Sequence, residues 1–351
     1  MFNSRWIRGA LAVSAVAMLA ACGNTGVDTS AGSSDTGSSG GAQTVITYNS
    51  PAEWGNFGEV HAAFKDSSGI EAPNDPKNSG QALAALQAEK GSPVADVVYT
   101  GIAFGGQLVE SGVLQPYTPK RAGDIADDLK SADEMWHTVH SGTVAFIVNE
   151  EFLGGAPVPS SWADLLKPEY KGKVGFLDPT QAAVGYSVAT AANEAMGGSL
   201  DDFGPGLDYI KQLVDNGAII SAQTATAKVA QGEIPILIDA DFNGYKLRDE
   251  GSNVSIVIPE EGSLQIPYVV GLVNGAPHEE NGKALLDFYF SEEGQSIFAH
   301  GYMRPAVGEI PADMREKFLP EEDYERARTV DYVKQGEVQQ KFNEEYKALI
   351  G

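Results

Sequence analysis

From Thr44 onward the chain alternates short apolar runs with stretches of helical spacing. That rhythm restricts it to layered α/β architectures. Thr44-Val-Ile-Thr-Tyr-Asn49 is an apolar strand ending at a Ser-Pro turn, and Asp96-Val-Val-Tyr99 is a second, closed by Thr100-Gly101. Between them, Gln81 to Lys90 sets Ala and Leu at helical spacing, in residues of high helix propensity. Further strands are predicted at 143–148, 174–177, 234–238, 254–258 and 268–273, and helices at 185–196, 207–216, 282–289, 294–300 and 320–349. The acidic tail from Glu316 to Tyr346 would be a solvated surface helix that turns Phe318, Leu319, Tyr332, Val333 and Phe342 inward. Such an order predicts largely parallel sheets, with ligand crevices beyond the carboxyl ends of the strands.

The start of the chain has a different grammar. Arg5 and Arg8 precede an uncharged apolar run, Gly9 to Ala21, and Cys22 follows Leu19-Ala20-Ala21. A basic stretch, a short apolar segment and a small-residue cleavage site predict an export signal. Leu-Ala-Ala-Cys also resembles the lipobox of bacterial lipoproteins, which implies a diacylglycerol on Cys22 and anchoring of the exported protein to the cell membrane. Gly23 to Gln43 is nearly all Gly, Ser, Thr, Ala, Asn and Asp. It cannot repay the entropy of ordering and is expected to be a tether with a reach of ~25 Å. No later stretch supplies about 18 uncharged apolar residues, the length a membrane-spanning helix needs. With one cysteine in 351 residues, a disulfide framework and a Cys-x-x-Cys site are both excluded. The net charge of −24 makes nucleic acid an unfavourable partner, since no basic stripe offsets it.

Within the body, Asp96-Val-Val-Tyr-Thr-Gly101, Leu114-Gln-Pro-Tyr117, Phe146-Ile-Val-Asn149 and the run from Pro159 to Gly175 (PSSWADLLKPEYKGKVG) follow in order. Gly232-Glu-Ile-Pro-Ile-Leu-Ile-Asp239 and Lys283 to Gln295 continue the series. Together these stretches resemble the solute-binding proteins of bacterial ABC importers, in the branch that includes ferric-ion, polyamine, thiamine and aminophosphonate receptors. The resemblance implies an α/β, two-lobed periplasmic-binding-protein-like fold of type II, with a ligand cleft between the lobes and a hinge of crossing strands. By analogy the crossings fall near Phe146 to Asn149 and Ile236 to Ala240. The expected division is a signal peptide at 1–21, the lipidated cysteine and tether at 22–43 and a first part of lobe one at 44–147. Lobe two would follow at 148–237, a return to lobe one at 238–290, and C-terminal helices of lobe two at 291–351. The implied partners are a small-molecule ligand and a permease with its ATPase; the protein is expected to be a monomer, with no cofactor or metal.

Ile238-Asp-Ala-Asp-Phe-Asn-Gly-Tyr245 is the most informative stretch for ligand binding. If extended, it places Asp239 and Asp241 on one side of a strand end, where they suit an organic cation. If a helix starts here, one Asp caps it instead. In ferric-ion receptors the matching stretch carries an adjacent tyrosine pair; Asp241-Phe242 stands there instead, which speaks against ferric ion. Trp54 on the loop after the first strand offers an indole face to a cation, and Tyr99 with Thr100 ends the second strand. Tyr245 and Tyr268 are further candidates. Leu177-Asp-Pro-Thr-Gln-Ala-Ala-Val-Gly-Tyr186 opens a helix whose free N–H groups could hold an anion, with Asp178, Thr180 and Tyr186 beside it. The alternative of equal standing is that Asp178 caps that helix, with Pro179 at its first position.

The five histidines show no zinc spacing, and the usual nucleotide-loop and serine-hydrolase motifs do not occur. The expectation is a tethered receptor for an amine-bearing, polyamine-like solute, with aminophosphonate second. The competing class is a secreted hydrolase using Asp239 and Asp241 as paired acids. Two acids so close, with no nucleophile beside them, fit that chemistry poorly.

Overall fold

The computed structural model describes residues 43–222 and 225–351. The expected export signal, Cys22 and nearly all of the tether lie outside the described residues. The first portion of the body runs β1 (Thr47–Tyr48), α1 (Phe57–Ser68), β2 (Asn74–Asp75), α2 (Ser79–Ala88), β3 (Val97–Gly101), α3 (Gly105–Glu110) and β4 (Leu114–Gln115). A long strand, β5 (His137–Asn149), then leads to β6 (Val174–Leu177), α4 (Ala183–Ala195), α5 (Gly204–Asp215), β7 (Ile219–Ser221) and α6 (Thr226–Ala230). After these come β8 (Ile236–Ala240), α7 (Asp241–Asp249), β9 (Val254–Val257) and β10 (Ser263–Val273). The chain ends with α8 (Glu279–Tyr289), α9 (Glu292–His300), β11 (Arg304–Pro305), α10 (Ala312–Arg315), α11 (Glu321–Tyr324), β12 (Ala327–Arg328) and α12 (Tyr332–Ile350).

The strands form a hydrogen-bonded path in the order β2-β1-β3-β10-β5-β8-β6-β7, with β4 and β12 on β10, and β9 and β11 on β5. The outer pairs are parallel, but β10 runs antiparallel to both β3 and β5, and β5 antiparallel to β8 and β9. Largely parallel sheets are therefore only half the architecture, because β10 arrives late and inserts between two strands already laid down. Residues 137–143 of β5 face β10, and residues 144–148 face β8. One strand thus belongs to two half-sheets, the arrangement that the expected two-lobed architecture calls for.

The second crossing falls elsewhere than expected. β8 pairs with β6 and β5, α7 packs on β5 and β9, and β9 pairs with the far half of β5. The chain returns to the first half-sheet only between Val257 and Ser263, not near Ile236 to Ala240. α8 and α9 pack against α1, and α9 also lies on β5 beside β11. Residues 292–305 therefore join the first half-sheet rather than the second. The predicted helix over 320–349 is broken: Pro320 precedes the short α11, and Asp331 caps α12 by accepting the Lys334 N–H. Val333 is 64% exposed, whereas Tyr332 and Phe342 are buried as expected.

Packing on the second half-sheet centres on Trp162, fully buried, with its indole N–H given to the Gly262 carbonyl at 2.9 Å. Its ring stands edge-on to Phe146 and Tyr209. Truncation to alanine there would cost about 3 to 5 kcal/mol. α12 touches both halves. It lies along α3 and α5, Gln335 donates to the Thr190 hydroxyl at 2.9 Å, and Gln107 donates to Gln339 at 2.6 Å. Gly336 permits this approach, since a Cβ there would sit 2.7 Å from the Ala103 carbonyl oxygen. Among the described residues no helix is long and apolar enough to cross a membrane.

Candidate functional site

A cavity of about 580 Å³ opens between the two half-sheets. The loop after β1 brings Asn49, Pro51, Glu53 and Trp54 to one wall, joined by Lys77 and Ser79 before and within α2, Tyr99 of β3 and Tyr268 of β10. The opposite wall is the start of α4 (Ala182 to Val184), three residues of α6, and Asn243, Lys246, Leu247 and Glu250 in and just after α7. The volume suits a small solute of a few to a dozen heavy atoms, and its walls are mostly apolar, as in ligand pockets generally.

Polar groups converge at particular points. Ala182 is the N-cap of α4 and has no side-chain oxygen to cap with, so the first-turn N–H groups of a helix of 13 residues stand at the cavity wall uncapped. Such an end carries partial positive charge and favours anions. α2 differs, because Asn78 accepts from the Gln81 N–H at 2.9 Å while the Gln81 side chain accepts from the Asn78 N–H at 3.0 Å. Lys77 pairs with Asp75 and lies 4.3 Å above the Tyr48 ring. Lys246 donates to the Glu53 carbonyl from across the cleft. Two more bonds cross there: Gly80 N–H to the Gln181 carbonyl at 3.1 Å, and the Asn78 amide to the Ala222 carbonyl at 3.3 Å.

The aromatic wall is a connected set. Trp54 meets Tyr268 and Phe242 edge-on at 6.1 and 5.0 Å, and Tyr99 stacks on Tyr268 at 5.4 Å. Burial pushes both phenols well above their ordinary pKa, so each stays a neutral hydroxyl. The Tyr268 hydroxyl has no hydrogen-bond partner among the described residues. Behind both tyrosines stands His140, fully buried, with neither ring nitrogen bonded among the described residues and its pKa pushed down by burial to about 3.

Of the sequence candidates, Trp54, Tyr99 and Tyr268 line the cavity. The others do not. Thr100 points to the far face of β3 by strand alternation and is buried. Asp178 accepts both the N–H and the hydroxyl of Thr180 at 2.8 Å, closing a turn ahead of α4. Tyr186 is buried beneath α12 and donates to the Gln335 carbonyl. Asp239 is wholly buried; one oxygen accepts the Ala240 N–H, the other has no hydrogen-bond partner among the described residues, and burial raises its pKa to about 7. Asp241 begins α7 and accepts the Thr143 N–H at 2.8 Å and the Tyr324 hydroxyl at 3.0 Å. Burial raises it to about 6, against the pull of those two donors. Tyr245 accepts from the Leu319 N–H and meets the Tyr324 hydroxyl at 2.5 Å.

Sequence reasoning missed Glu53, Lys77, Ser79, Asn243, Lys246 and Glu250. The α7 members carried a usable signal. Positions 243, 246, 247 and 250 repeat at the i, i+3, i+4, i+7 spacing of one helix face, once the stretch is read as a helix beginning at Asp241.

Residues 92–335 match the family described as bacterial extracellular solute-binding protein. A protein of Salmonella typhimurium named "Putative 2-aminoethylphosphonate-binding periplasmic protein" is 34% identical over 242 residues, covering 67% of this chain and 68% of that protein. The spermidine/putrescine-binding periplasmic protein of Escherichia coli is 24% identical over 154 residues, 42% of each chain. Among solved structures, the periplasmic binding protein AfuA from Actinobacillus pleuropneumoniae superposes with a TM-score of 0.75 at 22% identity, over 88% of this chain and 98% of that one.

Proposed function

The chain belongs to the bacterial extracellular solute-binding proteins, and from that premise we propose that its cavity captures a small aminophosphonate-like solute for delivery to an ABC importer's permease and ATPase. The observation that carries the reading is the uncapped start of α4 at the cavity wall, with Lys246 and Lys77 lining the same space. A phosphonate or phosphate oxygen suits such a set. The π faces of Trp54, Tyr99 and Tyr268, with the carboxylates of Glu53 and Glu250, suit an amine.

A polyamine carries only positive charge and would set an ammonium against the α4 terminus and two lysines. That favours aminophosphonate over the polyamine expected from Asp239 and Asp241, neither of which lines the cavity. The same placement weakens the hydrolase alternative, whose two acids would stand outside the ligand space. The 34% identical relative named for 2-aminoethylphosphonate supports the choice. Strand pairing supports a lobe division with residues 43–143 and 263–305 on one side and 144–262 on the other. A monomer held to the membrane through lipidated Cys22 and the tether completes the reading.

Thermal-shift titration of the soluble body tests it. 2-Aminoethylphosphonate should raise the melting temperature, by the equivalent of about 2.7 kcal/mol at a hundredfold excess over Kd. Stabilisation by putrescine or ferric ion, with none by 2-aminoethylphosphonate, would overturn the ligand assignment.

A further inference from the structure

At Thr143 and Val144 the long strand β5 changes partners. Thr143 is the last residue paired with β10, opposite Gln265, and Val144 the first paired with β8, opposite Ala240. Side chains take over the hydrogen bonding at this point. The Thr143 N–H is given to one oxygen of Asp241 at 2.8 Å, and the Val144 carbonyl accepts the Ser263 hydroxyl. Gly142 makes room for it: a Cβ there would lie 2.7 Å from the Phe242 ring and 3.3 Å from that Asp241 oxygen. The start of α7 is seated directly on the crossing.

The second oxygen of Asp241 faces the C-terminal segment. Donors align in one direction: Leu319 N–H to the Tyr245 oxygen at 2.9 Å, the Tyr245 hydroxyl to Tyr324 at 2.5 Å, and the Tyr324 hydroxyl to Asp241 at 3.0 Å. The Arg304 guanidinium sits 3.7 Å over the Tyr324 ring, and Tyr302 stacks on Tyr245 at 4.6 Å. A carboxylate holding both ends of such an arrangement makes strong charge-assisted bonds. The other face of α7 carries Asn243, Lys246 and Leu247 into the cavity.

We propose that Asp241 is a positioning residue, a hinge pin that ties β5, α7 and the 302–324 segment together at the crossing and so sets the balance between open and closed cleft. The tilt of α7 against β5 decides whether Lys246 reaches Glu53 across the cleft. Ligand affinity then depends on Tyr324 and Asp241 although neither lines the cavity. The affinity arm rests on the solute-receptor reading; the distance arm does not.

Spin labels at Asp66→Cys on α1 and Asp208→Cys on α5, both exposed, in full-length Cys22→Ser protein, report the separation of the lobes. Tyr324→Phe keeps the ring under Arg304 and removes only the hydroxyl. It should broaden and lengthen the label distance distribution and speed release of 2-aminoethylphosphonate about tenfold, within the usual span of coupling between sites. Asp241→Asn keeps an acceptor for the Thr143 N–H and should fall between wild type and Asp241→Ala. Unchanged distances in both Tyr324→Phe and Asp241→Asn would overturn the pin, as would a loss of melting temperature with no change in distance. If wild type does not bind 2-aminoethylphosphonate, the ligand assignment fails and the distances alone decide.

Discussion

The indole N–H of Trp54 donates to the phenolic oxygen of Tyr99 over 3.0 Å. That bond uses the oxygen as an acceptor, and no acceptor among the described residues takes the Tyr99 proton. Within an aromatic wall, this is the one hydroxyl already oriented by a neighbour.

Tyr99→Phe should therefore weaken 2-aminoethylphosphonate binding by about 0.5 to 1.5 kcal/mol through loss of a hydrogen bond. Trp54 loses its acceptor at the same time, so Trp54→Phe in the Tyr99→Phe background should add less than it does alone. Calorimetric titration of the double-mutant cycle measures this; strict additivity would separate the two residues.

Lys246 spans the rim of the cleft and is only half-buried, so its charge acts mainly on encounter. Lys246→Met should slow ligand association and flatten its salt dependence, while Lys246→Arg should keep both. Stopped-flow Trp fluorescence at low and high salt reads the difference. An unchanged association rate in the Met variant would remove Lys246 from ligand capture.

Burial raises Asp239 to about 7 from an ordinary value of 3.8. The folded state then holds a proton that the unfolded chain releases, so stability falls as pH rises from about 4 through 7. Asp239→Asn retains an acceptor for the Ala240 N–H and cannot ionise. Its stability, read from the melting temperature, should gain on wild type across that window, by an amount on the order of 4 kcal/mol when complete. A constant difference from pH 4 to 8 would mean that Asp239 stays in one protonation state throughout.

His140 works in the opposite direction. Its pKa is pushed from 6.5 to about 3, so its contribution is complete above 6.5 and is lost as pH falls toward 3. His140→Phe should leave stability at neutral pH little changed, since an apolar ring replaces two unbonded nitrogens. It should also soften acid unfolding, seen in parallel melts at pH 4 and pH 7.

Cys22→Ser should abolish diacylglyceryl attachment in the producing cell and release the protein from the membrane fraction. Intact-mass analysis checks it, and a Ser variant that still carries the lipid mass would defeat the anchoring proposal.

Much of the scaffold was readable. β6, α4 and α5 lie within a few residues of their predicted spans, because each keeps one apolar period and ends at a Gly, Pro or Asn boundary. Trp54, Tyr99 and Tyr268 were readable as cavity-lining candidates because a large aromatic on a loop after a strand, or near a strand's carboxyl half, has few other uses. Asp239 and Asp241 stand away from the cavity for a physical reason. Alternation carries a side chain to a predictable face only while the strand continues, and the helix begins between them, after Ala240. From Asp241 the period becomes 3.6, which brings Asn243 and Lys246 to the cavity instead. The return crossing was hidden because β9 has the same apolar alternation as a strand of either half-sheet, and its partner is chosen by contacts a hundred residues away. Near the C-terminus, acidic composition resembled one solvated helix, while Pro320 and the Asp331 cap divide it.

The late insertion of β10 between β3 and β5 has a consequence for how the polypeptide is made. Neither neighbour can complete its hydrogen bonding until residues 263–273 have been synthesised. At about 5 to 20 residues per second, the ribosome needs roughly 5 to 25 s to cover the stretch from 150 to 262. Through that interval the first half-sheet lacks its middle strand, and β3 and the first half of β5 each carry an edge with no partner until it arrives.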